Sequence, residues 1–317
     1  EVNAIIDNAD KLKKYSIFNK AGSFSYANIL QTARDFERVK NVILPEDEYK
    51  GVQAYTTYYY QYFFTMLVMM FVIYDMFAQR DNGMWSITYS CANGRIMYAI
   101  KQTGVIVVTG AFTHTLIYWS TFIAAMLQRG GVRDLVNPVQ TIETFDKFTY
   151  PWSKIKYVTV LYLISMVCIV ALCITIWGVF VMFRNRVYAL VTMLIFAAVE
   201  QFIYSHIDIH SVWNGLHYIN IINIININAT FSSYRNWGVG TYVFPVFSVV
   251  LFVHIICAGV IGYIAINVSA SMKPYKNTTF IKRFTDCVSA GCQKILARIP
   301  FLFKEIHKFI FTSHCGW

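Results

Sequence analysis

Hydrophobic positions along this chain fall into long unbroken runs, not into alternating or three-to-four-residue stripes. Five runs approach or exceed the about 20 residues that a helix needs to cross a bilayer core. They cover 55–77, 103–127, 156–183, 187–204 and 241–267. A lipid-facing backbone must satisfy its own hydrogen bonds, so such runs predict membrane-spanning helices. A membrane β-barrel would instead alternate in units of about ten residues. The expectation is an all-α polytopic membrane protein with five spans. Segment 1–54 precedes the spans on the extracytoplasmic side, and segment 268–317 follows as a basic cytoplasmic tail.

The polar stretches between the runs set the orientation, because Lys and Arg concentrate on the cytoplasmic side of short loops. Arg184 and Arg186 crowd a tight turn, and Lys273, Lys276, Lys282, Arg283, Lys294, Arg298, Lys304 and Lys308 fill the tail. The Asn-rich stretch 205–240 carries Arg235 as its one Lys or Arg. The turn and the tail therefore face inward, while 1–54, 128–155 and 205–240 face outward. All seven cysteines lie in spans or inward segments and none in an outer loop, which fits a reducing inner side and argues against a disulfide framework. An outer start followed by five spans predicts a further span upstream of Glu1.

Composition narrows the class. Of 317 residues, 56% are hydrophobic and 14% charged, against about 25% charged in a soluble domain. Disorder and an ordinary soluble fold are both excluded. The net charge of +10 sits mainly on the inner side, where the acidic residues outside the spans are Asp81, Asp286 and Glu305. That predicts attraction to anionic inner-leaflet lipid and no nucleic-acid partner.

Candidate chemistry is sparse. Between the first two spans runs Gln79-Arg80-Asp81-Asn82-Gly83-Met84-Trp85, continuing to Asn93-Gly94-Arg95 and Lys101. It is a short amphipathic element bracketed by glycines at the inner mouth of the bundle, able to dock on a cytoplasmic partner. Glu200 lies near the outer end of the fourth span. An isolated carboxylate within lipid costs about 2.5 kcal/mol or more at the centre, so it is a functional candidate. His114 and His254 lie mid-span, suited to helix-to-helix hydrogen bonding or to a proton relay. Glu200, His114 and His254 form a candidate substrate path. His206, Asp208 and His210 would share one face of an extended strand, but no fourth ligand accompanies them, and no metal is expected. Asn220, Asn223, Asn226 and Asn228 alternate with Ile at a spacing that predicts a short amphipathic helix lying at the outer interface. The sequence holds no phosphate loop, no G-x-G-x-x-G, no G-x-S-x-G and no H-E-x-x-H, so neither an enzyme nor a directly bound cofactor is expected.

The inner loop resembles that of permeases of the ABC-2 class of ATP-binding cassette transporters. Asp81-Asn82-Gly83, Gly94-Arg95 and Lys101 match that pattern in order and spacing, while Gln79 stands where the class carries Glu. Phe24-Ser25-Tyr26-Ala27-Asn28-Ile29 with Thr32 and Asp35 is similar to the outer segment of a Firmicutes-type permease group. Asn137-Pro138-Val139-Gln140-Thr141 is similar to its second outer loop, and 213–220 with Tyr234-Arg235-Asn236 to its last. The resemblance implies a transport subunit of an exporter in a bacterial plasma membrane, crossing it several times. Its cargo would be amphiphilic: a peptide, an antibiotic or a lipid-like molecule. ATP and Mg would bind a separate ATP-binding cassette subunit that docks on Asp81, Asn82, Gly83, Met84, Trp85, Gly94, Arg95 and Lys101. A second permease half would complete the transporter, as a dimer or in tandem. Segment 303–317 is similar to the elbow that opens such a half, so the chain is expected to be a piece lacking its first span. The rival expectations are an ion-coupled transporter and a membrane-bound sensor or scaffold with no ATPase.

Overall fold

The computed structural model describes residues 2–15, 22–45, 50–57, 60–81, 94–183, 185–207, 214–239 and 241–271. In chain order these form α1 (Val2–Leu12), α2 (Phe24–Glu37), α3 (Gly51–Thr57), α4 (Tyr60–Met76), α5 (Ala78–Asp81) and α6 (Gly94–Arg129). There follow α7 (Lys154–Met182), α8 (Arg186–His206), α9 (Asn214–Ile219), α10 (Ile222–Ile225) and α11 (Ile227–Ser232). A hairpin of β1 (Asn236–Val239) and β2 (Tyr242–Pro245) then leads into α12 (Val246–Ser271). Five helical stretches are long and apolar enough to cross a membrane: Tyr62–Arg80, Gly94–Arg129, Lys154–Met182, Arg186–His206 and Val246–Ser269. The protein is all-α and polytopic.

Three span boundaries differ from the sequence reading by five residues or more. The first span starts at Tyr62, not at 55, because 55–57 belong to the separate helix α3. The second span starts at Gly94, not at 103. Its 36 residues make about 54 Å at 1.5 Å per residue, well beyond a core of about 30 Å. Its polar first turns therefore project past the hydrocarbon. The fifth span starts at Val246, because Tyr242–Pro245 pairs antiparallel with Asn236–Val239. The aromatic and β-branched residues there suit a strand as well as a helix.

α7 is the hub. Of its most apolar window 61% is buried, against 11% for α8. Val158, Leu161, Ser165, Cys168, Leu172, Ile176 and Phe180 are among its buried residues and recur at helical spacing. Small residues bring its neighbours close. A Cβ on Gly178 would strike Ile261, one on Gly262 would press on Ile174, and one on Gly110 would lie 2.6 Å from the Cys173 sulfur. Such close approach is what holds helices together in lipid, where no hydrophobic force separates helix from solvent.

The described parts of the three segments expected outside gather at one end of the bundle. Asn236 donates to Asn28 at 2.8 Å, and Asn228 bridges that end by donating to the Thr56 carbonyl at 2.5 Å while accepting from Tyr157 at 2.7 Å. Segment 130–153 folds back on itself after Gly130 and Gly131, whose φ values of 68° and 108° need glycine. Val139 N–H donates to the Trp152 carbonyl, and Gln140 donates to the carbonyls of Phe148 and Tyr150. The other end is tied by Arg80, which donates to the carbonyls of Phe180 and Phe183 at 3.1 and 2.7 Å.

The Asn-rich stretch is not one surface helix. It breaks into α9, α10 and α11, and Asn220, Asn223 and Asn228 are buried. Their amides bond backbone groups: Asn223 donates to the His217 carbonyl at 2.6 Å, and Asn220 accepts from Ile222 N–H at 2.7 Å. Short polar side chains compete with helical hydrogen bonds in this way and interrupt a continuous helix.

Candidate functional site

The structure brings Glu200 and His254 to one cavity and leaves His114 outside it. The cavity has a volume of about 230 Å³. Ala171, Leu172 and Thr175 of α7 form one wall, Phe196 and Glu200 of α8 a second, and Val253, His254, Cys257 and Ile261 of α12 a third. Ile219, Ile221 and Ile224 complete its lining.

Glu200 is held by the segment that completes the lining. One carboxylate oxygen accepts from Ile221 N–H at 3.1 Å, and the Glu200 carbonyl accepts from the Asn220 amide at 2.7 Å. The His254 Nδ1 lies 2.8 Å from the Val250 carbonyl one turn back. A carbonyl can only accept, so Nδ1 carries the proton. The same ring lies against the Ile219 backbone. The site thus offers one carboxylate and one imidazole in an apolar chamber. Ligand pockets commonly measure about 300–1,000 Å³, so this chamber suits part of an amphiphile, such as one chain or side chain.

His114 sits in a closed seam between α6 and α7. Its Nε2 is 2.8 Å from the Ser165 hydroxyl, which donates onward to the Tyr162 carbonyl. The ring stacks between Tyr62 and Tyr162 at 5.8 and 6.1 Å, with Tyr118 tilted beside it at 5.6 Å. His114 is 1% exposed. Its arrangement is that of a helix-to-helix tie.

The inner-loop residues divide. Asn82, Gly83, Met84 and Trp85 lie outside the described residues, as do Asp208 and His210. Asp81 closes α5, and Gly94, Arg95 and Lys101 occupy the first turns of α6, with Lys101 exposed. Just beyond, Gln102 accepts from the Trp177 indole at 3.2 Å and locks those turns to α7. His206 stacks on Phe202 at 4.0 Å. Among the described residues, no group of three His, Cys, Asp or Glu comes together to hold a metal.

The outer motifs meet. Tyr234 donates to Asp35 at 3.1 Å, the Thr32 hydroxyl lies 3.3 Å from the Tyr234 oxygen, and Asn236 donates to both Asn28 and Tyr234. Asp35 also accepts from Gln31 at 3.0 Å and pairs with Arg38 at 3.2 Å. Burial pushes the Tyr234 phenol up to about 12, reinforced by the adjacent Asp35 charge.

Sequence reasoning missed Thr175 and Cys257 at the cavity, and Asn220 as a partner of Glu200. Which face of each helix points there depends on helix rotation, and the nearly uniform apolar runs carry no record of it. Comparison of the chain with family models, characterised proteins and solved structures gives no match.

Proposed function

We propose that the chain is the membrane-spanning permease subunit of an ABC-2-class exporter. It would move an amphiphilic cargo using ATP and Mg bound by a separate cassette subunit. The observation that carries this reading is the chamber between α7, α8 and α12. It is an apolar space with one carboxylate and one imidazole, walled on one side by the least buried span.

The inner end of the bundle supports a drive from the cytoplasm. Arg80 immediately precedes the inner loop and grips the last carbonyls of α7. Arg186, the first residue of α8, lies 4.5 Å above the Tyr74 ring of α4. A push on the loop by a docked ATPase would therefore reach both α7 and α8. α8 has few buried contacts to resist it, and it carries Glu200. Its displacement changes the chamber, the two-state element that alternating access requires.

A second reading, an ion-coupled transporter, draws on the same two residues, Glu200 and His254, lining one cavity. Proteoliposomes separate the two. They would hold the chain with an ATP-binding cassette subunit, the proposed partner, and a fluorescent amphiphile would be followed across the membrane. The exporter reading expects movement only with ATP, lowered about tenfold by filling the chamber with Phe196→Trp, which equals about 1.4 kcal/mol. Movement driven by a proton or sodium gradient without ATP would support the second reading and overturn the first.

A further inference from the structure

A second cavity, at the outer end, is unlike the first. The difference lies in its lining: it is a cleft of about 200 Å³ built from residues 31–38, 147–150 and 231–247. Its charged lining residues are Arg38, Lys147, Arg235 and Asp35. Asp35 is already engaged, since it accepts from Gln31 and Tyr234 and pairs with Arg38. The Tyr234 hydroxyl proton is directed at that same carboxylate. Arg38 shares that pairing, and with Lys147 and Arg235 the lining keeps a net charge of +2.

Its floor is aromatic. Phe148 meets Tyr150 at 5.5 Å and Phe231 at 5.7 Å, and Phe231 meets Phe247 at 5.0 Å. Tyr150 lies just before α7, and Phe247 is in the first turn of α12. The floor thus sits where two spans enter the membrane, the level at which aromatic side chains collect. Cations beside a low-dielectric floor attract an anion more strongly than cations in open water. A guanidinium adds a planar fork that fits a carboxylate or a phosphate.

We propose that this outer cleft binds an amphiphilic oxyanion, a carboxylate or phosphate carried on an apolar body. The head would lie among Arg38, Lys147 and Arg235, and the body along Phe148, Phe231 and Phe247 towards the bilayer. Two sources share this chemistry: an anionic lipid of the outer leaflet, or an acidic amphiphile from the outer water phase. The site stands whether or not the chain is an exporter, because no ATPase is needed to fill it.

Calorimetric titration of octyl phosphate into the full chain in neutral phosphatidylcholine nanodiscs tests it, with empty nanodiscs as the blank. The expected result is saturable binding that weakens as salt is raised, with octanol showing none. Lys147→Glu should weaken binding at least about tenfold, and Arg235→Gln should weaken it less. Both side chains are exposed, and an unchanged melting temperature would verify that each variant folds. Nanodiscs containing phosphatidylglycerol then identify the source. Loss of octyl phosphate binding in them assigns the cleft to leaflet lipid, and retained binding assigns it to a water-borne amphiphile. No saturable binding by the unaltered chain, or equal affinity in Lys147→Glu, would overturn the proposal.

Discussion

His114 and His254 hold equivalent places in the sequence, each an imidazole in the middle of an apolar run, yet their surroundings are opposite. His114 lies in a seam closed by Ser165, Tyr62, Tyr118 and Tyr162, with Gly110 one turn away pressed towards Cys173. His254 borders a chamber shared with Glu200. The difference comes from what α7 meets on each side. Towards α6 it meets a helix whose glycine permits near contact. Towards α8 it meets one that touches the bundle through few residues, Ala189 and Met193 being the buried ones. A polar residue within a span marks a tie where the helices close and a site where they part.

The comparison can be broken by mutation. The largest effect is expected at His114. Truncation to Ala removes a buried ring and its hydrogen bond, so His114→Ala should cost about 3 kcal/mol. His254→Ala, at the edge of an existing space, should cost under about 1 kcal/mol by the same reasoning on cavity creation. Equal losses in thermal melts of the detergent-purified protein would erase the distinction.

Next comes Gly110→Leu, which drives a side chain into Cys173 and should cost about 1–3 kcal/mol. A Cβ on Gly259 meets nothing within 4 Å, so Gly259→Ala should leave the melt unchanged or slightly raised. A smaller effect is expected outside the membrane. Tyr234→Phe removes the hydrogen bonds to Asp35 and Thr32 and should cost about 1 kcal/mol. The phenol is raised from 10.0 to about 12 in the folded chain. Its stabilising contribution is therefore full below pH 10.0 and is lost as pH rises through about 12. Alkaline melts of the Phe variant should lack that decline. Smallest is Glu200→Gln, which keeps an oxygen for Ile221 N–H and should shift stability by under about 0.5 kcal/mol. A large destabilisation there would make Glu200 a structural tie like His114.

Much of this architecture was legible in the chain. Long apolar runs announce the spans, because lipid permits few alternatives. The reading that 1–54, 128–155 and 205–240 share one side of the spans agrees with their described parts meeting at one end of the bundle. The Phe24–Asp35 and Tyr234–Asn236 motifs, read as separate outer segments, meet through Tyr234, Asp35, Asn28 and Asn236. Tyr242–Pro245 was misread because an apolar aromatic run suits a strand as well as a helix. The asparagines were misread because their spacing gives a face, whereas their amides seek backbone partners. The placing of Glu200 and His254 on one cavity, and of His114 elsewhere, depends on helix rotation and closeness of approach. Neither is written in residues that are apolar on every side.

The central claim is that an ATPase drives these spans through the loop after Arg80. The direct measurement is the affinity of the nanodisc-embedded chain for an ATP-binding cassette subunit, the proposed partner, set beside Met84→Glu and Trp85→Glu. The account predicts saturable binding by the unaltered chain, weakened at least about tenfold in either variant, with melting temperatures unchanged. Equal affinity in all three, or no binding by the unaltered chain, would contradict it.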